Sequence, residues 1–443
     1  MTSIRQKSVC LMAVLVILFS GAVMAQGQVE IQLSVWGMPW EDQIYTKYAI
    51  PQFEAENPGI KVKFMRLENY WELLLTRHAA DMAPDVQRNL DMFFGRMQIR
   101  GALTPLTEYV KGPEGVSLDD FYDVAIESLS REGEIWALPQ DICLRNGLYY
   151  NMRMFDEAGI SYPTADWTID KMIEVAKKLT KGKRPRVERY GIVGLGRDFP
   201  FWFIHNYGGS LWSEDGKSCT VNSDAAVEGI RHLQDLIYED KAAPTTAEYT
   251  IAAVEDLFKA EKVAMFLGGG WFIPAVTRDV PDLKFGVAHT PIGPQGKRIC
   301  AAHQCIFEMS SQTKHPDASW KLIKHLVSPP VLKDYWQRTW VAAPSRKSML
   351  KDPEVFETII GIPGHVPAIT DPEEFQRKLG WIRDTILNEE FITIGNDFFV
   401  EFFNHYFFDE EDNLFGVRRG DAKVILDRIA KKQNELMEGF YKK

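Results

Sequence analysis

The chain has 443 residues, 45% of them hydrophobic, enough for a large buried core and more than one folded unit. Its formal net charge of −10 argues against a nucleic-acid partner, which would need a basic surface. Its five cysteines are too few for a disulfide scaffold, and no C-x-x-C pair points to zinc.

The first 25 residues read as a cleaved secretory signal. Arg5 and Lys7 open it, an apolar stretch runs from Val9 to Phe19, and Val23-Met24-Ala25 closes it. The apolar stretch is shorter than the about 20 residues of a membrane helix; the alternative is an uncleaved anchor. Cys10 stands at the start of that stretch rather than its end, against a lipoprotein. No later stretch has the length and apolarity of a span, so no stable membrane insertion is expected after cleavage. The mature chain is expected in the periplasm or another extracytoplasmic space. Export permits disulfides, but the spacing leaves the state of Cys143, Cys219, Cys300 and Cys305 open. Cys300 and Cys305, five apart in a predicted strand, would face opposite ways.

Ile31, Leu33 and Val35 alternate with polar residues and end in Trp36-Gly37, a strand running into a turn. A helical stretch follows to Phe53, stopped by Asn57-Pro58-Gly59, and Ile60, Val62 and Phe64 alternate again. This is β-α-β, hence parallel strands with a crossover helix. Ala83 to Val86 reads as a third, short strand. Thr168 caps a helix whose Ile169, Met172, Ile173, Ala176 and Leu179 share one face. A helix at about 251–261 feeds the apolar strand Val263 to Leu267, which stops at three glycines, Gly268 to Gly270, followed by Trp271. The segment from about 371 is helical and aromatic-rich, with a cluster from Phe398 to Phe408. There is no repeat and no low-complexity stretch. The elements define an α/β protein with two sheets.

Eight fragments, in order, resemble the family 1 extracellular solute-binding proteins, the carbohydrate-capturing components of ABC importers, of which the maltodextrin-binding protein is the best known. They are P-Q-F-E-A-E-N-P-G-I-K-V (51–62), A-P-D-V (83–86), G-A-L-T-P-L (101–106), W-A-L-P with L-Y-Y-N-M-R-M-F-D-E-A-G-I (within 136–160), D-W-T-I-D (166–170), R-Y-G-I (189–192), V-A-M-F-L-G-G-G-W (263–271) and V-A-A-P-S-R-K-S (341–348). Two stretches depart from the pattern: Gln87-Arg88-Asn89-Leu90-Asp91, and the long portion beyond about 360.

The resemblance implies a periplasmic-binding-protein-like fold of type II, two α/β lobes joined by hinge strands around a ligand cleft. The first lobe would comprise 26–140 and a return segment 291–345. The second would comprise 141–290 and a helical part 346–443. The chain would cross near Leu138 to Leu148, near Pro291 and near Ala343 to Lys347. The partners implied are a saccharide ligand and the membrane permease subunits of an ABC transporter. Neither cofactor nor metal is implied, and the chain is not expected to be an enzyme.

In open α/β sheets ligands bind beyond the carboxyl ends of strands. Gly268 to Gly270 would lie there, freeing the backbone for close approach, and Trp271 would offer a flat face to the C–H face of a pyranose. Trp36 and Trp40 follow the first strand in the same way. The alternative for each tryptophan is packing in the core. Glu41, Asn89 and Asp91 would fix hydroxyls, with Glu41 equally a solvated residue of a first helical turn. Asp141 and Arg145 flank the first crossing, lining the cleft floor or pairing across the hinge. Gly270, Trp202, Asn206, Trp340 and Trp381 complete the candidate site. Arg88 is either a surface salt-bridge residue or a clamp for a uronic acid carboxylate.

Three rivals stand beside this reading. A polyamine site would pair Asp91 with Trp271. An exported carbohydrate-active enzyme would need two carboxylates about 5 to 10 Å apart; no G-x-S-x-G elbow, H-E-x-x-H or P-loop is present. The mixed α/β elements and the lack of repeats argue against an envelope structural protein.

Overall fold

A computed structural model describes residues 28–194, 198–249, 254–388, 391–393, 408–416 and 418–441. The expected signal at 1–25 and most of the aromatic cluster at 398–408 lie outside the described residues.

The first sheet has the strand order Ile60–Arg66, Val29–Val35, Val86–Leu90, Cys305–Met309, Ala137–Pro139. Its opening β-α-β is parallel, with Val29 paired to Ile60 and Val35 to Arg66. Cys305–Met309 returns antiparallel to both its neighbours. The alternating Ile31, Leu33 and Val35 are fully buried, as a period of two requires of a strand whose one face meets the core.

The second sheet has the order Phe285–Ala288, Gly147–Asn151, Val263–Gly268, Arg186–Gly194, Lys181–Lys183. Val263–Gly268 is buried along its whole length, with a parallel neighbour on one side and an antiparallel one on the other. That explains its unbroken apolar sequence. Helix Ile169–Leu179 packs on this sheet. Thr168 Oγ1 accepts from the backbone N–H of Lys171 at 3.2 Å, and Ile169, Met172, Val175, Ala176 and Leu179 are buried.

A small third sheet joins the two lobes: Ala343–Pro344, Asp141–Leu144, Cys300–His303, Phe391–Thr393. The chain leaves the first sheet at Pro139, runs through Asp141–Leu144 and enters the second at Gly147. It comes back through Cys300–His303 into Cys305–Met309. The return lies later than the expected 291. Ile292 still exchanges backbone hydrogen bonds with Trp167 and Ile169, at 2.8 and 3.0 Å, on the second-lobe side. Arg346 and Ser348, expected in the second lobe, instead bond Asp120.

Beyond 360, helix Pro372–Leu387 packs against Phe285–Ala288, and Ala422–Tyr441 against Asp224–Tyr238. Cys143, Cys219, Cys300 and Cys305 are buried free thiols. Cys300 and Cys305 sit on different strands of different sheets. Among the described residues no helix is long and apolar enough to cross a membrane, and no cluster of His, Cys, Asp and Glu would hold a metal ion.

Candidate functional site

A cavity of about 1130 Å³ opens where the two main sheets and the crossing strands meet. Its walls come from the ends of strands, as expected where α/β sheets bind ligands. Trp36, Trp40 and Glu41 line it after the first strand, Trp71 after the second, Leu90 at the end of the third, and Met92 and Phe93 after it. The crossing segments contribute Cys143, Arg145 and His303, the returning strand of the first sheet contributes Cys305, and the second lobe contributes Asp198, Trp271 and Arg278.

The triple glycine positions Trp271. Gly270 N donates to Leu144 O at 3.0 Å, tying the turn to a crossing strand, and Tyr149 Oη donates to Gly269 O at 2.6 Å. The indole then folds back over Gly269 and stays half-buried at the cleft wall. Gly270 itself is buried beside Val341 and Ile382 and does not line the cleft.

The first lobe presents an aromatic group. Trp71 stacks on Phe93 at 4.5 Å and 16°, and Trp36 lies 5.4 Å from Trp71. Trp71 Nε1 donates to Asn89 Oδ1 at 3.1 Å, and Asn89 Nδ2 donates to Glu308 Oε2 at 3.1 Å. Asn89 is fully buried and supports the Trp71 ring rather than lining the cleft. The third strand begins at Val86, where the expected strand from Ala83 would have ended, and runs to Leu90, so Asn89 lies within the sheet.

Arg88 is neither a surface residue nor a free clamp. It is 1% exposed and donates to Gln140 Oε1 at 2.7 Å, Trp36 O at 2.8 Å and Tyr335 Oη at 2.9 Å. Asp141 Oδ2 is 3.6 Å away. Glu41, also buried, accepts from Met38 N at 2.7 Å and Tyr335 Oη at 3.2 Å. Burial raises the Glu41 carboxyl above its ordinary range, with Arg88 opposing. Burial likewise pushes Asp141 up to about 6, again against Arg88. Asp141 accepts from Cys305 N at 3.0 Å within the hinge and is not part of the cleft wall.

Arg145 does reach the cleft. Its Nε and Nη2 donate to Asp198 Oδ2 at 3.0 and 2.7 Å, its Nη1 meets His303 Nδ1 at 2.9 Å, and the guanidinium lies 5.2 Å from the Trp271 ring centroid. Asp91 lies just beneath the wall, 4% exposed, and its carboxylate lacks a well-formed hydrogen bond. Burial pushes it up to about 7; the nearby N–H groups of Gln304 and Met92 offset this only in part.

Four candidates are built into the core instead. Trp202 is buried and donates to Thr290 Oγ1 at 2.5 Å. Asn206 bonds the backbone of Ile299 through both its amide atoms. Trp340 is fully buried at the end of helix Pro329–Thr339, and Trp381 is buried with its ring filling the space beside Gly147. In each case burial of a large ring or a satisfied amide explains the residue.

Sequence reasoning missed Trp71, Phe93, Asp198, His303 and Tyr335. Trp71 follows the second strand much as Trp36 follows the first, and that signal was available. His303 carries none: only the return of a distant strand brings it beside Arg145.

The family profile described as bacterial extracellular solute-binding protein matches residues 39–333, and the chain belongs to that family. A binding protein of Brucella abortus is 27% identical over 284 residues, covering 62% of this chain and 66% of that protein, so the match spans just under two thirds of that relative. The multiple sugar-binding protein of Streptococcus mutans is 23% identical over 319 residues, 66% of this chain and 69% of that protein. Among solved structures, the Listeria monocytogenes ABC substrate-binding protein in complex with cycloalternan is similar with a TM-score of 0.76 at 21% identity, covering 93% and 99% of the two chains. A maltose-bound Thermotoga maritima protein gives 0.71 at 20%, covering 92% and 100%. These structures share the type II binding-protein fold.

Proposed function

We propose that this chain is the extracytoplasmic substrate-binding protein of an ABC transporter, capturing a mono- or oligosaccharide between its lobes and delivering it to a membrane permease. The observation that carries this reading is the presence in one cleft of tryptophan faces from both lobes, Trp36 and Trp71 from the first and Trp271 from the second. A pyranose offers apolar C–H faces to such rings and a rim of hydroxyls to the polar groups between them. The proteins similar to this chain that are named for sugar ligands support the choice of class. Lobe closure follows because contact from both sides exists only when the lobes meet. The proposed lobes divide at the crossing strands 141–144, 300–303 and 343–344. Residues 1–25 would be the export signal.

The rivals fare worse on electrostatics. The cleft is lined by Arg66, Arg88, Arg96, Arg145 and Arg278 against Glu41, Glu72 and Asp198, a poor setting for a polyamine. A uronic acid held by Arg88 would have to displace three protein acceptors. Glu41 and Asp198 each already bond protein donors, which favours binding over acid–base chemistry.

A thermal-shift screen over saccharides, uronic acids and polyamines tests the reading. A ligand at 100 times its dissociation constant adds about 2.7 kcal/mol, a shift of a few degrees. Stabilisation by a neutral saccharide is expected; stabilisation by polyamines alone would reject it.

A further inference from the structure

His303 ends the crossing strand Cys300–His303, lines the cleft and is 7% exposed. Its Nδ1 stands 2.9 Å from Arg145 Nη1. A guanidinium nitrogen can only donate, so Nδ1 accepts. A neutral imidazole carries one proton, which therefore sits on Nε2. A second proton would place a cation against Arg145 in a buried site. Burial first, then Arg145 and Arg88, hold the imidazolium pKa well below its usual range.

Arg145 cannot easily turn away, because two of its nitrogens are held by Asp198. Among the described residues nothing accepts from His303 Nε2. Nor is that nitrogen among the polar atoms sealed from solvent without a partner. Its N–H is therefore offered to the cleft. Beside it lies Trp271, with ring centroids 5.5 Å apart and planes at 62°. A flat apolar face and one fixed donor thus stand side by side.

Resting on the saccharide reading above, we propose that His303 is a ligand-binding residue. Its Nε2–H donates to a hydroxyl or ring oxygen of the saccharide seated against Trp271. Arg145 acts as a positioning residue that fixes the tautomer. A neutral donor selects a ligand with an acceptor oxygen at that point and offers nothing to an ammonium group.

The test uses the intact chain with maltose and mannobiose as probes, extended to a wider saccharide set. Nitrogen-15 NMR of the histidine rings, with the His303 signal identified by its loss in His303→Gln, should show the Nε2–H tautomer unchanged from pH 8 to pH 5. Arg145→Gln should mix the two tautomers. His303→Ala should weaken binding about tenfold, and His303→Gln, which keeps an N–H donor, should restore most of it. An Nδ1–H tautomer, a titration near pH 6.5, or unchanged affinity in His303→Ala would overturn the proposal. If the intact chain binds a saccharide and His303→Ala binds it equally, this inference alone fails. If the intact chain binds no saccharide, the proposed function fails and takes this inference with it.

Discussion

The benzo ring of Trp271 occupies the space where a side chain on Gly269 would stand: a Cβ there would come within 1.9 Å of Trp271 Cζ3. The strand Val263–Gly268 thus ends without side chains so that the largest one can fold back over the turn and present itself to the cleft. Gly269→Ala should force the indole out of place. Overpacking of this kind costs about 1–3 kcal/mol. Loss of stability in urea melts together with weakened ligand binding is expected. A variant of parental stability and affinity would contradict this placement of Trp271.

Trp271 and Trp202 should respond in opposite ways to truncation. Trp271 is half-buried at the cleft, so Trp271→Ala should weaken ligand binding by about tenfold or more and change stability little. Trp202 is buried in the second-lobe core, and Trp202→Ala should cost about 3–5 kcal/mol. Calorimetric titration and denaturant melts on both variants separate the two roles.

Arg88 holds the buried acids Glu41 and Asp141 together with Tyr335 and Gln140. Arg88→Met would leave those carboxylates buried without their cation. Breaking a buried pair from one side costs about 3–5 kcal/mol, and the denaturation midpoint should fall accordingly. A merely electrostatic loss at the surface would instead be small and sensitive to salt.

Much of the fold was legible because its signals are local. The parallel β-α-β opening, the Thr168 cap and the buried strand before Gly268 follow from period, caps and breakers within a few residues. The crossing segments were suggested only by the resemblance, and nothing local marks where the chain after Ile292 parts from Trp167. The site was less legible. Strand ends pointed to Trp36, Trp40 and Trp271 at the cleft. The fate of Trp202, Trp340 and Trp381 depends on what packs over them from far along the chain. Asn89 was misplaced because Val86–Leu90 carries polar residues on a fully buried strand, where Glu308 satisfies Gln87 and Asn89 from across the sheet.

Four buried carboxyls, Glu41, Asp91, Asp141 and Glu308, are raised by burial and make stability depend on pH. Asp91 and Glu308 are pushed up to about 7 and Asp141 to about 6, with burial the main cause in each. In the unfolded chain such groups titrate near about 4. Between about pH 4 and pH 7 the folded chain therefore holds more protons than the unfolded one, and these groups lower stability as pH rises. Asp91→Asn removes one of them. Its melting temperature should gain on the parent progressively from pH 5 to pH 7 and level off above that. Parallel profiles for parent and variant would show that Asp91 ionises freely in the fold.

Calorimetric titration of the intact protein with a neutral oligosaccharide such as maltose or mannobiose, repeated on Trp271→Ala, tests saccharide capture in this cleft most directly. One site per chain, with affinity lost or strongly reduced in the variant, is the predicted result. No uptake of any saccharide, or uptake that Trp271→Ala leaves untouched, would contradict it.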